Sequence, residues 1–174
     1  MKNILATTIL FISLSATVSA QSKKPLAVGD KVPQFTLTNQ DGKVFNIADE
    51  VGKHALVIYF YPKDESMVCT KEACAFRDAF DAYTKAGALV IGINAGTVKS
   101  HKDFATNHKL PFILLSDPDN KVLNQFGVKG FLGMSGRETF VVDLSGKIVY
   151  TYDSMMHGVE HSDNALAAVK AIKK

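Results

Sequence analysis

Cys69 and Cys74 are the only two cysteines of the chain, and both fall in the segment Tyr61-Pro62-Lys63-Asp64-Glu65-Ser66-Met67-Val68-Cys69-Thr70-Lys71-Glu72-Ala73-Cys74. The segment follows a very apolar stretch, Ala55 to Phe60, and leads into an amphipathic pattern. A cysteine in the first turn of a helix ionises easily, because free N–H groups and the helix dipole favour the thiolate. Redox chemistry is therefore the leading expectation. On a helix, Cys69, Ala73, Phe76, Phe80 and Tyr83 share one apolar stripe, whereas Cys74 sides with Arg77, Asp78 and Asp81. Cys69 should point inward and Cys74 toward the solvated side.

Five residues of ideal helix separate two Cα atoms by roughly 8–9 Å. A disulfide needs them within about 7 Å. A Cys69–Cys74 bond therefore requires the first turns to unwind, which suits a bond that forms and breaks better than a permanent staple. Ser66 is the expected N-cap, with its hydroxyl near the Cys69 N–H. A thiol pKa lowered from about 8.5 to about 6 raises the thiolate fraction at neutral pH roughly thirtyfold. Lost nucleophilicity gives back about tenfold. A fast reaction thus needs further donors aimed at the transition state. Ser66, the backbone N–H groups of Val68 and Cys69, and a distant arginine are the candidates.

The elements that must position these groups follow from patterning. Phe35–Leu37 and Val44–Ile47 flank Asn39-Gln40-Asp41-Gly42, a hairpin with an Asp-Gly turn. Ala55–Phe60 and Leu89–Ile93 are continuous apolar runs, as in strands buried on both faces. A helix is expected from about Ser66 to Ala86, ending at Gly87, and further helices over Val98–His108 and Lys121–Phe126. Phe112–Leu115 reads as a short strand, Thr139–Val142 and Ile148–Tyr152 as a hairpin, and Asp163–Lys174 as a last helix capped by Ser162. The class is α/β, a mixed central sheet flanked by helices with an N-terminal β-hairpin.

The chain has 174 residues, is 47% hydrophobic and carries a formal charge of +3, which fits one globular domain. Its lysines are scattered, so no nucleic-acid or membrane partner is expected. Residues 1–20 read as a signal peptide, with Lys2, an apolar stretch from Ile4 to Leu14, and Val18-Ser19-Ala20 at the cleavage point. The expectation is an exported, periplasmic protein with a folded domain over 21–174.

Pro62-x-x-x-Ser66-x-x-Cys69 resembles the active-site signature of the peroxiredoxins. The string from Tyr61 to Asp78 is similar to the Q-type, or bacterioferritin-comigratory, subgroup. So are Ser100-His101-Lys102, Leu110-Pro111-Phe112, Leu115 to Asp119, Phe126-Gly127-Val128, Arg137 to Asp143 and Gly146-Lys147. The resemblance implies a thioredoxin-like fold and a thiol-dependent peroxidase acting on hydrogen peroxide and organic hydroperoxides. It implies Cys69 as peroxidatic and Cys74 as resolving cysteine, joined in an intramolecular disulfide. Pro62 would shield the thiolate, Ser66 orient the peroxide, and Arg137 hold the sulfur, with Glu72 orienting Arg77 or Arg137. A thioredoxin-like reductant, no cofactor, and a monomer or weak homodimer are also implied. Met67-Val68 stands where the subgroup usually has Pro-Gly, which suggests a taste for bulkier hydroperoxides.

Two other readings of the cysteines stay open at this level. One is an exported thiol–disulfide oxidoreductase, whose usual spacing is C-x-x-C rather than C-x4-C. The other is a copper-binding protein of thioredoxin fold using His157 or His161. The His157/His161 pair itself reads as solvated or capping, and Asp117-Pro118-Asp119-Asn120 as a turn.

Overall fold

The computed structural model describes residues 24–130 and 135–172. Seven strands form one mixed sheet: β1 (Thr36–Asn39), β2 (Val44–Asn46), β3 (Ala55–Phe60), β4 (Ala88–Asn94), β5 (Ile113–Ser116), β6 (Glu138–Val142) and β7 (Ile148–Asp153). Their order is β2-β1-β5-β4-β3-β6-β7. The pairs β3·β4 and β4·β5 are parallel, and β1·β5, β3·β6 and β6·β7 are antiparallel. The helices are α1 (Met67–Asp78), α2 (Phe80–Lys85), α3 (Val98–His108), α4 (Lys121–Phe126) and α5 (Gly158–Ala171).

β3 explains the two-layered core. Its side chains alternate across the sheet, and every residue from Ala55 to Phe60 is buried. Val57, Tyr59 and the following Tyr61 pack with Cys69, Ala73, Phe76 and Tyr83 beneath α1 and α2. Leu56, Ile58 and Phe60 pack on the opposite face with Phe126 and Phe140. Burying side chains of this size stabilises by about 1.5–3 kcal/mol each before entropy is counted. A continuous apolar strand is what a sheet covered on both faces requires. The N-terminal hairpin forms as expected: Gly42 takes φ +74°, and the Asn39 side chain accepts from the N–H groups of Asp41 and Lys43.

Two helix boundaries differ from expectation. The helix expected from Ser66 to Ala86 is broken at Ala79 (φ −92°, ψ 2°), giving α1 and α2. The C-terminal helix starts at Gly158 with His157 at its N-cap, not at Asp163, so Ser162 is a buried interior residue rather than a cap. Close packing is the reason: a Cβ on Gly158 would lie 2.8 Å from Val68 O and 3.1 Å from Glu72 Cβ. The bare glycine lets the first turn of α5 rest directly on the first turns of α1.

Candidate active site

The loop from Tyr61 to Ser66 joins β3 to α1 and is pinned by a buried carboxylate. Asp64 accepts hydrogen bonds from Tyr61 Oη (2.8 Å), Asn94 Nδ2 (3.0 Å) and Ser100 Oγ (2.5 Å), and His101 Nδ1 lies 2.9 Å away. Burial alone would push this carboxyl up, but hydrogen bonds from His101 and Ser100 outweigh it and hold it below the ordinary range. Glu65 takes a left-handed φ of 58° and accepts from Asn107 Nδ2 at 2.9 Å, with His108 Nε2 at 2.8 Å. Both ends of the loop are thus tied to β4 and α3, which fixes where α1 begins.

Ser66 is the backbone N-cap of α1 (φ −75°, ψ 146°), but its hydroxyl makes no capping bond. The expected side-chain cap is absent, and the hydroxyl is uncommitted. Thr70 N–H is the donor that closes the first turn, onto Ser66 O at 2.8 Å. The amides of Met67, Val68 and Cys69 precede it and belong to the unpaired end of the helix. Cys69 is buried in this turn.

Arg137, just before β6, brings the site together. Its Nη2 donates to Cys69 Sγ at 3.1 Å, its Nη1 donates to Glu72 Oε2, and its Nε donates to Met155 O at 3.2 Å. All three side chains, Cys69, Glu72 and Arg137, are buried. Of the two partners expected for Glu72, Arg137 is the one engaged. Arg77 turns away to Asp78 and to His108 O at 2.9 Å. Burial pushes the Glu72 carboxyl up to about 8 even though Arg137 sits beside it.

Cys74 is half-buried and, like Cys69, is a free thiol. It faces a groove of about 470 Å³ between α1 and α5, lined also by Lys71, Asp78 and Val159. The two cysteines share α1, so the helical separation that forbids their bonding applies to this state. Pro62 is half-buried at the start of the loop, and Met67 is 75% exposed at the helix entrance.

His161 departs from its expected solvated role. It is fully buried beneath Tyr152, with Nδ1 2.8 Å from Thr139 Oγ1 and Nε2 2.9 Å from Ser154 O. It lies on the buried stripe His161, Ala165, Val169 of α5, a spacing that becomes visible once the helix is started at Gly158. Asp64, Thr139 and the Met155 carbonyl are further site groups that no local sequence pattern announces. Among the described residues, no group of three or more His, Cys, Asp or Glu side chains is placed to hold a metal ion. Nor is any helix among them long and apolar enough to cross a membrane.

Known proteins resemble this chain in sequence and in fold. Residues 28–151 match the model of the AhpC/TSA family. The chain is 43% identical to the chloroplastic peroxiredoxin Q of Sedum lineare over 147 residues, covering 83% of this chain and 78% of the relative. It is 42% identical to that of Arabidopsis thaliana over 176 residues, covering 97% and 81%. The solved peroxidoxin BcpB of Mycobacterium tuberculosis superposes with a TM-score of 0.79 at 34% identity, covering 84% of this chain and 98% of that one. A peroxiredoxin Q structure from Xanthomonas campestris gives 0.71 at 34% identity, covering 79% and 90%. The expected periplasmic localisation is corrected by these findings: the curated relatives are named chloroplastic, not periplasmic. The signal peptide expected over residues 1–20 lies outside the described residues.

Proposed function

The chain belongs to the AhpC/TSA family and is a thiol-dependent peroxidase of the peroxiredoxin type, and from that premise we propose that Cys69 is its peroxidatic and Cys74 its resolving cysteine. The substrate is a hydroperoxide and the reductant a thioredoxin-type dithiol. The observation that carries the assignment is Arg137 Nη2 at 3.1 Å from the buried Cys69 sulfur. A guanidinium there favours the thiolate and then meets the charge that moves onto the peroxide oxygens as their bond breaks.

In the first step the Cys69 thiolate attacks one peroxide oxygen. The S–O bond forms, the O–O bond breaks, and the leaving hydroxide or alkoxide takes a proton to depart as water or alcohol. Cys69 is left as a sulfenic acid. Ser66 and the first-turn amides are the donors that orient the peroxide, and Pro62 screens the sulfur from bulk water. In the second step the first turns of α1 unwind, and the Cys74 thiolate attacks the sulfenic sulfur. An S–S bond forms and hydroxide leaves, taking a proton. Exchange with the reductant dithiol restores both thiols. The intramolecular bond needs no second subunit, so the working unit is a monomer or weak homodimer.

The exposed Met67 and neighbouring Val68 give the entrance an apolar edge, which favours bulkier organic hydroperoxides. In a Met67→Pro/Val68→Gly variant, the ratio of rates with cumene hydroperoxide and hydrogen peroxide should fall; an unchanged ratio removes this specificity claim. The test of the whole assignment is rapid-quench thiol counting after one equivalent of hydrogen peroxide. Both thiols should vanish together into an internal disulfide. Cys74→Ser should stop at an oxidised Cys69, and Cys69→Ser should not react. Thiol loss no faster than that of free cysteine would overturn the assignment for this peroxide.

A further inference from the structure

Behind Arg137 the buried network continues in a direction that the peroxidase steps do not use. Glu72 gives Oε2 to Arg137, but its Oε1 has no hydrogen-bond partner although it is buried. The polar atom facing it is His161 Nδ1, 3.6 Å away. His161 Nε2 lies on Ser154 O, a carbonyl that only accepts, so Nε2 carries a proton. With neutral imidazole, Nδ1 is then an acceptor; the Thr139 hydroxyl, 2.8 Å away, can donate to it, but nothing donates to Glu72 Oε1. A nitrogen lone pair facing an unpartnered carboxylate oxygen in a buried site is unfavourable for the carboxylate. One proton placed on either atom removes the conflict.

We propose that His161 is a positioning residue for Cys69 oxidation: it shares a single proton with Glu72, and that proton decides how much of the Arg137 charge is left for the sulfur. This rests on the assignment of Cys69 as the reacting thiol. While the pair holds its proton, Glu72 is neutral and the guanidinium serves the thiolate. When the proton leaves to solvent, the Glu72 carboxylate claims Arg137 and adds a second negative charge to the pocket. Burial pushes Glu72 up and His161 down, to about 4, so the shared proton resides on Glu72.

Arg137 faces the pair from the strand side. The Tyr152 ring of β7 packs on His161, and Glu160 and His157 flank it on α5 itself. Tyr59 of β3 lies within electrostatic reach of Glu72 and Cys69. Tyr83 of α2 donates to Ser162 O at 2.6 Å and stays protonated, its pKa pushed above its ordinary value. Thr139 Oγ1 competes for Nδ1.

The test follows Cys69 oxidation by hydrogen peroxide in a Cys74→Ser background, from about pH 5 to about pH 9. The parent should give a bell: a rise as Cys69 ionises and a fall as the pair loses its proton. His161→Gln keeps an amide donor for Ser154 O but removes the acceptor at Nδ1. Its falling limb should move to lower pH by about one unit, a tenfold weaker hold on the proton. Thr139→Val frees Nδ1 for Glu72 and should move the same limb to higher pH. Opposite shifts in two conservative variants are not what a merely structural role produces. If His161→Gln matches its parent in both limbs, His161 only anchors Ser154 and the proposal fails. Failure of the parent itself to react faster than free cysteine would instead sink the assignment of Cys69.

Discussion

At the scale of single residues, Arg137 is the most demanding position in the molecule. One guanidinium serves Cys69 Sγ, Glu72 and Met155 O at once, along three different N–H directions. A lysine carries the same charge, but its single ammonium cannot reproduce a rigid planar fork. Arg137→Lys should therefore fold, yet lower kcat/KM for hydrogen peroxide by about 10²–10³-fold, the usual effect of losing one preorganised donor. Steady-state turnover with a thioredoxin-type reductant reads this directly, and a loss under fivefold would mean that charge alone suffices. Cys69, Cys74 and Arg137 stand out in the chain as candidates, whereas Asp64 and His161 do not. The cysteines are rare residues in a recognisable local spacing. Asp64 owes its burial to Ser100 and His101, 36 and 37 residues away, and no local pattern announces such a partnership.

At the scale of elements, the site depends on α5 being seated against α1, and the proposed disulfide on α1 being able to open. β3, α3 and α4 are legible in the chain because local periodicity and caps mark them. The start of α5 is not legible, because His157-Gly158-Val159 carries no good cap and glycine is a poor helix former. Tertiary packing overrides that preference, since only glycine fits 2.8 Å from the Val68 carbonyl. Gly158→Ala should thus push α5 away from α1, costing about 1–3 kcal/mol and lowering Tm by roughly 2–4 °C per kcal/mol. The same displacement carries the Met155 carbonyl off Arg137, so activity should fall with stability. A Gly158→Ala variant with unchanged Tm would show that the contact relaxes without cost. The opening of α1 has its own signature. Oxidation to the disulfide should speed hydrogen exchange of amides 67–74 and leave α3 unaffected.

At the scale of the whole molecule, the alternation of strands and helices was enough to read a mixed α/β sheet, and the shared stripe of α1 was enough to turn Cys69 inward. The order of the sheet was not, because β1 pairs with β5 across more than seventy residues. What the assembled fold adds is a buried proton whose consequences extend to stability. The His161 pKa is depressed in the folded chain to about 4, and that of Glu72 is raised to about 8. Between about pH 4.5 and 6.5 the folded pair holds one proton on Glu72, and the unfolded pair also holds one, on histidine. Proton uptake on unfolding is then nil, and the pair makes stability flat with pH. Above about pH 6.5 the unfolded histidine releases its proton while the folded pair keeps its own. The unfolded state binds fewer protons, so stability falls as pH rises, by about 2 kcal/mol on reaching pH 8. Glu138, raised to about 7 by burial and by Asp153 beside it, adds a loss of the same sign that is nearly complete by then. Below about pH 4.5 the sign reverses, because the unfolded pair binds two protons and the folded pair one. Urea unfolding of the Cys69→Ser/Cys74→Ser protein, in which no thiol titrates, should show this decline between about pH 6.5 and 8. Glu72→Gln should be less stable throughout but lose the slope above about pH 7, since a glutamine has no proton to hold there. An unaltered slope in that variant would place the titrating group outside the Glu72–His161 pair.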